Sequence, residues 1–187
     1  MSRAEDGTGS QATAQRLQQL HDQIGADLLG YFARRVEPRE DAADLLSETL
    51  MVTWRRLDRV PAGDEAARMW MFATARRVLA NWSRGQRRRT ALSHELRENL
   101  ATVTLPVAND QALDVRQAVS ALPRNQRELI MLVHWDGFTI PAAAQLLKIT
   151  VSTARGRYQR AKITLKAALS DTAAPTSKTS TAKVTTS

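Results

Sequence analysis

The sequence predicts an all-α protein of two small helical domains joined by a linker, and three observations predict it. Ala, Leu, Arg and Gln, all good helix formers, dominate the ordered stretches, while alternating Val/Ile/Thr/Tyr runs are almost absent. Apolar residues supply 43% of 187 positions, enough for packed cores, and two periodic stretches are separated by a segment that loses its periodicity. The turn-forming clusters Glu37-Pro38-Arg39, Val60-Pro61-Ala62-Gly63-Asp64 and Leu122-Pro123 cut these stretches into helices of ordinary length.

Composition sets the boundaries. Residues 1–13 are rich in Gly, Ser, Thr and Ala and read as a disordered lead-in. Residues 14–89 read as helix broken at Pro38 and Pro61, and 90–113 as a linker containing Thr104-Leu105-Pro106-Val107-Ala108-Asn109. Residues 114–169 are helical again, with a further turn near Gly137, and 170–187 form a Ser/Thr/Ala/Lys tail too poor in apolar groups to fold. Each module is small, so its core is expected to be marginal alone.

The second module carries the sharpest local pattern. Thr139-Ile140-Pro141-Ala142-Ala143-Ala144-Gln145-Leu146-Leu147 reads as a short helix capped by Thr139, with Pro141 in the first turn, where its missing N–H costs nothing. Lys148-Ile149-Thr150 forms the turn, and a longer basic helix runs from about Val151 to Leu169, opened by Thr150 or Ser152. Short helix, tight turn and longer basic helix make a helix-turn-helix. Ala144 is small where two helices approach, and Ile149 can plug the core from the turn. At about 100° per residue, Val151, Ala154, Tyr158, Ala161, Leu165 and Leu169 form an inward stripe. Ser152, Gly156, Gln159 and Ile163 lie opposite, flanked by Arg155, Lys162 and Lys166 on one side and Arg157 and Arg160 on the other. Short polar side chains facing base edges, with cations facing phosphates, suit a DNA major groove.

The first module is polarised. Glu37, Glu40, Asp41, Asp44 and Glu48 make its early part acidic, whereas its last helix carries Arg76, Arg77, Arg84, Arg87, Arg88 and Arg89 with no acid between. Leu45, Leu46, Met51, Val52, Trp54, Trp70, Met71, Phe72 and Leu79 are its expected core. Trp82 lies just outside the last apolar stripe, between arginines, and is open to two readings: packing on the core, or stacking on an unpaired base.

The whole-chain balance agrees with a polyanionic partner. The formal net charge is +8 and the isoelectric point about 10.7. No run of eighteen apolar residues is present, and no apolar stretch follows the N-terminus, so neither membrane insertion nor a signal peptide is expected. Cysteine is absent, which fits a cytoplasmic location and leaves no thiolate chemistry. His21, His94 and His134 are scattered without partners at metal-ligand or triad spacing. No enzyme activity, metal or cofactor is expected.

The two blocks together resemble the extracytoplasmic-function sigma factors of bacterial RNA polymerase, the compact two-domain group of sigma factors. Asp44-Leu45-Leu46-Ser47-Glu48-Thr49-Leu50 with Trp54-Arg55 resembles that family's core-polymerase-binding helix. Arg68-Met69-Trp70-Met71-Phe72 through Ala75-Arg76 resembles the helix leading to its −10 reader. Ala121-Leu122-Pro123, Gln126-Arg127 and Thr153-Ala154-Arg155-Gly156-Arg157 with Arg160-Ala161 resemble its −35-binding module. The likeness covers about 24–89 and 115–169, in the family's order and spacing.

The resemblance implies a division of labour. Asp44 and Glu48, with Leu45 and Trp54 behind them, would dock on the clamp helices of the polymerase β′ subunit. Gly63 and Asp64 would hold a base flipped from the melted −10 strand, a step that costs a few kcal/mol unless a pocket offsets it. Arg76, Arg77, Asn81, Trp82 and Arg84 would meet the −10 element, and Ser152, Thr153, Arg155, Gly156, Arg157, Gln159, Arg160 and Lys162 the −35 element. Core polymerase and promoter DNA are the implied partners, with an anti-sigma factor as a further one. Lys148 stands where the family usually has glycine, so a lysine must adopt a left-handed or otherwise strained backbone there. A helix-turn-helix repressor is the alternative, accounting for 114–169 and leaving 24–89 as a ligand-binding or dimerisation domain.

Overall fold

A computed structural model describes residues 5–94 and 110–172. Among these residues there are seven α-helices, one short 3-10 helix and no strand. The first module contains α1 (Glu5–Ala33), α2 (Asp41–Trp54), the 3-10 helix Leu57–Arg59 and α3 (Asp64–His94). The second contains α4 (Asp110–Ala121), α5 (Arg124–His134), α6 (Ile140–Leu147) and α7 (Val151–Thr172).

The breaks fall where proline and glycine put them. Α1 ends before Glu37-Pro38, α3 begins one residue after Gly63, and Pro123 is the N-cap of α5. Two boundaries differ from the compositional reading. Helix α1 begins at Glu5, so 5–13 is helix rather than a disordered lead-in: its Glu, Gln and Ala positions extend a helix already nucleated by a packed stripe. Helices α3 and α4 likewise run into both ends of the expected linker, whose 95–109 stretch, like the tail from 173, lies outside the described residues.

Helix α1 supplies much of the first core. Leu20, Ile24, Leu28, Tyr31 and Phe32 recur at three- and four-residue steps and are all buried, as is Val36 just beyond the helix. On α2 the buried stripe is Ala42, Leu45, Thr49 and Thr53. The two threonine hydroxyls donate back to the carbonyls of Leu45 and Thr49, both at 2.8 Å, which satisfies them away from water. Because that stripe fills the contact with α1 and α3, Met51 and Trp54 fall outside it and are 52% and 40% exposed, not core residues. Trp70, Leu79 and Trp82 are half-buried against the core.

The two modules are not held by the linker alone. One continuous apolar cluster runs from Leu28, Phe32, Met71 and Phe72 of the first module to Leu129, Leu132, Phe138, Ala143 and Leu146 of the second. Phe72 and Phe138 meet edge to face at 4.8 Å between ring centroids. A smaller cluster, Val119, Leu122, Ile130, Met131 and Ala161, fixes α4 on α5 and α7. Sharing a core offsets the small size of each module.

Candidate nucleic-acid interface

Helix α7 is built by local signals. The Thr139 hydroxyl accepts from the Ala142 N–H at 3.3 Å and caps α6, with proline in the first turn. Lys148 closes α6 in the left-handed region at φ 55°, ψ 46°. Its N–H reaches the Gln145 carbonyl at 3.1 Å and that of Ile149 reaches Ala144 at 3.0 Å, the paired bonds of a Schellman ending. Of the two possible caps for α7, Thr150 makes the contact: its hydroxyl accepts from the Thr153 N–H at 3.2 Å.

This turn sets the rotation of α7. Ala154 and Ala161 are fully buried, and Val151, Tyr158, Leu165 and Leu169 are half-buried on the same side. Ser152, Thr153, Arg155, Gln159, Arg160, Lys162 and Lys166 are exposed, and Ile163 at 70% is the most open large apolar side chain among the described residues. Gly156 and Arg157 are partly covered. Tyr158 is anchored by a 3.0 Å hydrogen bond between its hydroxyl and His134 Nε2, with the two rings stacked. His134 is thus a structural partner, which its isolation in the sequence concealed.

In the first module, Gly63 and Asp64 stand at the exposed entrance to α3, where a Cβ on Gly63 would meet nothing within 4 Å. Arg16 of α1 steadies the preceding loop by donating to the carbonyls of Pro61 and Ala62, at 3.4 and 3.3 Å. Along α3, Arg77, Asn81 and Arg84 are exposed, with Arg84 donating to the Asn81 side-chain oxygen. Arg76 instead turns to the second module and donates to the Leu146 carbonyl. On α2, Asp44, Ser47, Glu48, Met51 and Trp54 share one exposed face, acidic at its start and apolar at its end. Leu45 is 2% exposed and belongs to the core beneath that face.

Comparison with known proteins agrees with this layout. Residues 20–89 match the family described as sigma-70 region 2, and residues 112–165 match sigma-70, region 4. The chain is 30% identical over 146 residues to the RNA polymerase sigma factor CnrH of Cupriavidus metallidurans, covering 71% of this chain and 75% of that one. The chain belongs to the extracytoplasmic-function sigma factors. The ECF RNA polymerase sigma factor EcfG of Rhodopseudomonas palustris is 29% identical over 154 residues, covering 80% of this chain and 84% of the relative. Among solved structures, the sigma factor RpoE of Bartonella quintana, in complex with the anti-sigma factor NepR, superimposes with a TM-score of 0.64 at 25% identity. That match covers 82% of this chain and 95% of the other. CnrH in complex with the cytosolic domain of CnrY has the same fold, with a TM-score of 0.61 at 23% identity, over 88% of this chain and 96% of that one.

As a sigma factor, the chain binds core RNA polymerase and directs transcription initiation at promoters; its role is regulatory. Among the described residues no helix is long and apolar enough to cross a membrane, and no group of three or more His, Asp or Glu side chains is placed to hold a metal ion.

The structure also brings together residues that carried no pattern in the sequence. Asp136, its side chain fully buried, accepts from Arg34 at 2.5 Å and from Arg35 at 2.7 Å. Arg35 also donates to Glu128 at 3.1 Å and lies over the Tyr31 ring at 3.8 Å. Burial works against the Arg35 charge, but Glu128, with Tyr31 and Asp136, outweighs it and raises the guanidinium above its ordinary value. Burial also pushes the Tyr31 phenol far above its usual range, with the Glu128 charge adding to the shift, so the ring stays neutral. Arg68 spans both modules. It pairs with Asp27 at 3.1 Å, donates to the Asp136 carbonyl at 2.6 Å, and covers the rings of Phe72 and Phe138 at 4.9 and 4.4 Å.

Proposed function

We propose that this sigma factor divides promoter recognition and polymerase binding among three surfaces. The α2 face of Asp44, Glu48 and Trp54, held in place by buried Leu45 and extended by Met51, docks on the clamp helices of β′. Gly63 and Asp64 with Arg77, Asn81 and Arg84 of α3 take the opened −10 element, joined by Arg76 once it leaves Leu146. Trp82, half-buried, supports that surface by packing. Ser152, Thr153, Arg155, Gln159, Arg160 and Lys162 of α7 read the −35 element as duplex, with Arg157 and Gly156 at the edge of the contact.

The observation that carries this reading is the outer face of α7. Its exposed polar side chains are flanked by four cations, Arg155, Arg160, Lys162 and Lys166, on a helix whose rotation is fixed by two capped turns. The boundaries at about 14–89 and 114–169 for the two functional units, a cytoplasmic location, the absence of any catalytic activity and an anti-sigma partner belong to the same reading. For the anti-sigma partner, the support is that two relatives of the same fold are solved with such proteins or with a cytosolic protein domain.

The test is co-elution with core polymerase combined with a charge reversal. Wild-type protein is expected to co-elute with core, and Asp44→Lys to lose that binding while keeping its affinity for a −35 duplex. Tight binding to duplex without any binding to core would return the chain to the repressor reading.

A further inference from the structure

Helices α3, α5 and α7 each place one arginine, Arg76, Arg124 and Arg157, in the lining of a single cleft of about 480 Å³. That volume lies within the range of about 300–1,000 Å³ usual for small-molecule sites. Guanidinium groups gathered around one space repel each other unless an anion lies among them. The protein supplies none. Glu128 is the one acid in the lining, and its carboxylate is already paired with Arg35 at 3.1 Å. Arg124 and Arg157 have no hydrogen-bond or ion-pair partner among the described residues. Arg76 is held by its bond to the Leu146 carbonyl, which leaves its other N–H groups for a ligand.

We propose that this cleft binds a small phosphorylated ligand of the nucleoside polyphosphate class. The two parts of the lining match the two parts of such a molecule. A phosphate chain takes charge-assisted bonds from the three guanidinium groups, with the Ser83 hydroxyl and the Asn125 amide as further donors. Leu79, Ala80 and Leu147 form an apolar wall against which a base ring packs. Buried Tyr31 lies beneath with a neutral phenol, so it adds no negative charge against the phosphates. Inorganic phosphate would leave the apolar wall empty, and an uncharged ring would leave the cations unmatched. A DNA duplex offers the same phosphate chemistry but keeps its bases stacked inside, so it brings nothing to that wall. The site does not depend on the promoter-reading assignments, because Ser83, Arg124 and Asn125 belong to neither of those surfaces.

Calorimetric titration of the full chain at physiological ionic strength tests the site, with magnesium-free ATP, tripolyphosphate and adenosine as probes. ATP is expected to bind at least about tenfold more tightly than tripolyphosphate, through burial of its ring, and adenosine to give no measurable binding. Arg124→Glu should weaken ATP binding at least about tenfold. Arg124 is exposed in the first turn of α5, where an acid suits the helix dipole, so this variant keeps the fold. Arg116→Glu, exposed on α4 and outside the cleft, makes the same change in net charge and should leave ATP affinity as in the wild type. A random-sequence duplex should bind Arg124→Glu and Arg116→Glu equally well. No binding of ATP, ATP no tighter than tripolyphosphate, or equal losses of ATP affinity in the two variants would overturn the site. So would a loss of duplex affinity in Arg124→Glu as large as that of ATP, which would make the cleft part of the DNA-facing surface instead.

Discussion

Arg35 and Asp136 are 101 positions apart in the chain and 2.7 Å apart in space, and their ion pair joins the region 2 module to the region 4 module. Around it the two cores merge through Phe72 and Phe138. The stability of either module is therefore not its own.

Phe138→Ala should cost about 3–5 kcal/mol, the range for truncating a buried aromatic side chain. Denaturant titration followed by helical signal checks it. Since Phe138 packs on Phe72, the loss should weaken the first module as well. A variant that unfolds only α4 to α7, leaving the first module at wild-type stability, would mean that the shared core contributes little.

The two caps should be worth about 1 kcal/mol each. Thr139→Ala removes the bond to the Ala142 N–H, and Thr150→Ala the bond to the Thr153 N–H, and thermal unfolding reads both. Lys148 pays for its left-handed backbone, so Lys148→Gly should be neutral to stabilising by up to about 1 kcal/mol. Lys148→Val should destabilise by more than that, since a β-branched residue fits this region poorly.

Trp54 and Leu45 sit on the same helix but should fail in opposite ways. Trp54→Ala removes an exposed side chain and should leave stability within about 0.5 kcal/mol while weakening core-polymerase binding at least tenfold. Leu45→Ala empties a core position and should cost about 2–5 kcal/mol. Calorimetry paired with a core-binding titration separates the two.

Arg155→Ala and Arg160→Ala should each weaken duplex binding and reduce the slope of log affinity against log salt by about 0.9, the value for one phosphate neutralised on double-stranded DNA. An unchanged slope for both would remove them from the phosphate contacts. Gln159→Ala should instead change sequence preference with little effect on the slope, because an amide meets base edges without displacing counterions.

What could be read in the sequence was what is written locally. Thr139, Pro141 and Thr150 act within four residues of themselves, so α6, the turn and α7 were legible, with the α7 cap narrowed to Thr150 or Ser152; the strained backbone at Lys148 was implied by the family resemblance, which has glycine there. The inward stripe of α7 follows from helical period alone. Three things were hidden. The α1 stripe of Leu20, Ile24, Leu28 and Phe32 is regular, yet its period marks only a buried face and not the α2 and α3 surfaces that cover it. Met51 and Trp54 have apolar side chains on an exposed face, and composition cannot tell such a face from a core without the competing stripe of Leu45, Thr49 and Thr53. The pairing of Asp136 with Arg34 and Arg35 leaves no periodicity or spacing at all, since it depends on how two modules dock. The same docking turns Arg76 away from the surface on which its sequence neighbours Arg77 and Arg84 stand.

Run-off transcription on genomic DNA, with core polymerase and the full-length chain, tests the central claim most directly. Discrete start sites are expected that depend on both proteins and are preceded by two sequence blocks at a constant spacing, and these starts should vanish with Asp44→Lys or Trp54→Ala. Tight binding of the chain to specific duplex sites with no transcripts that require it would contradict a role in initiation.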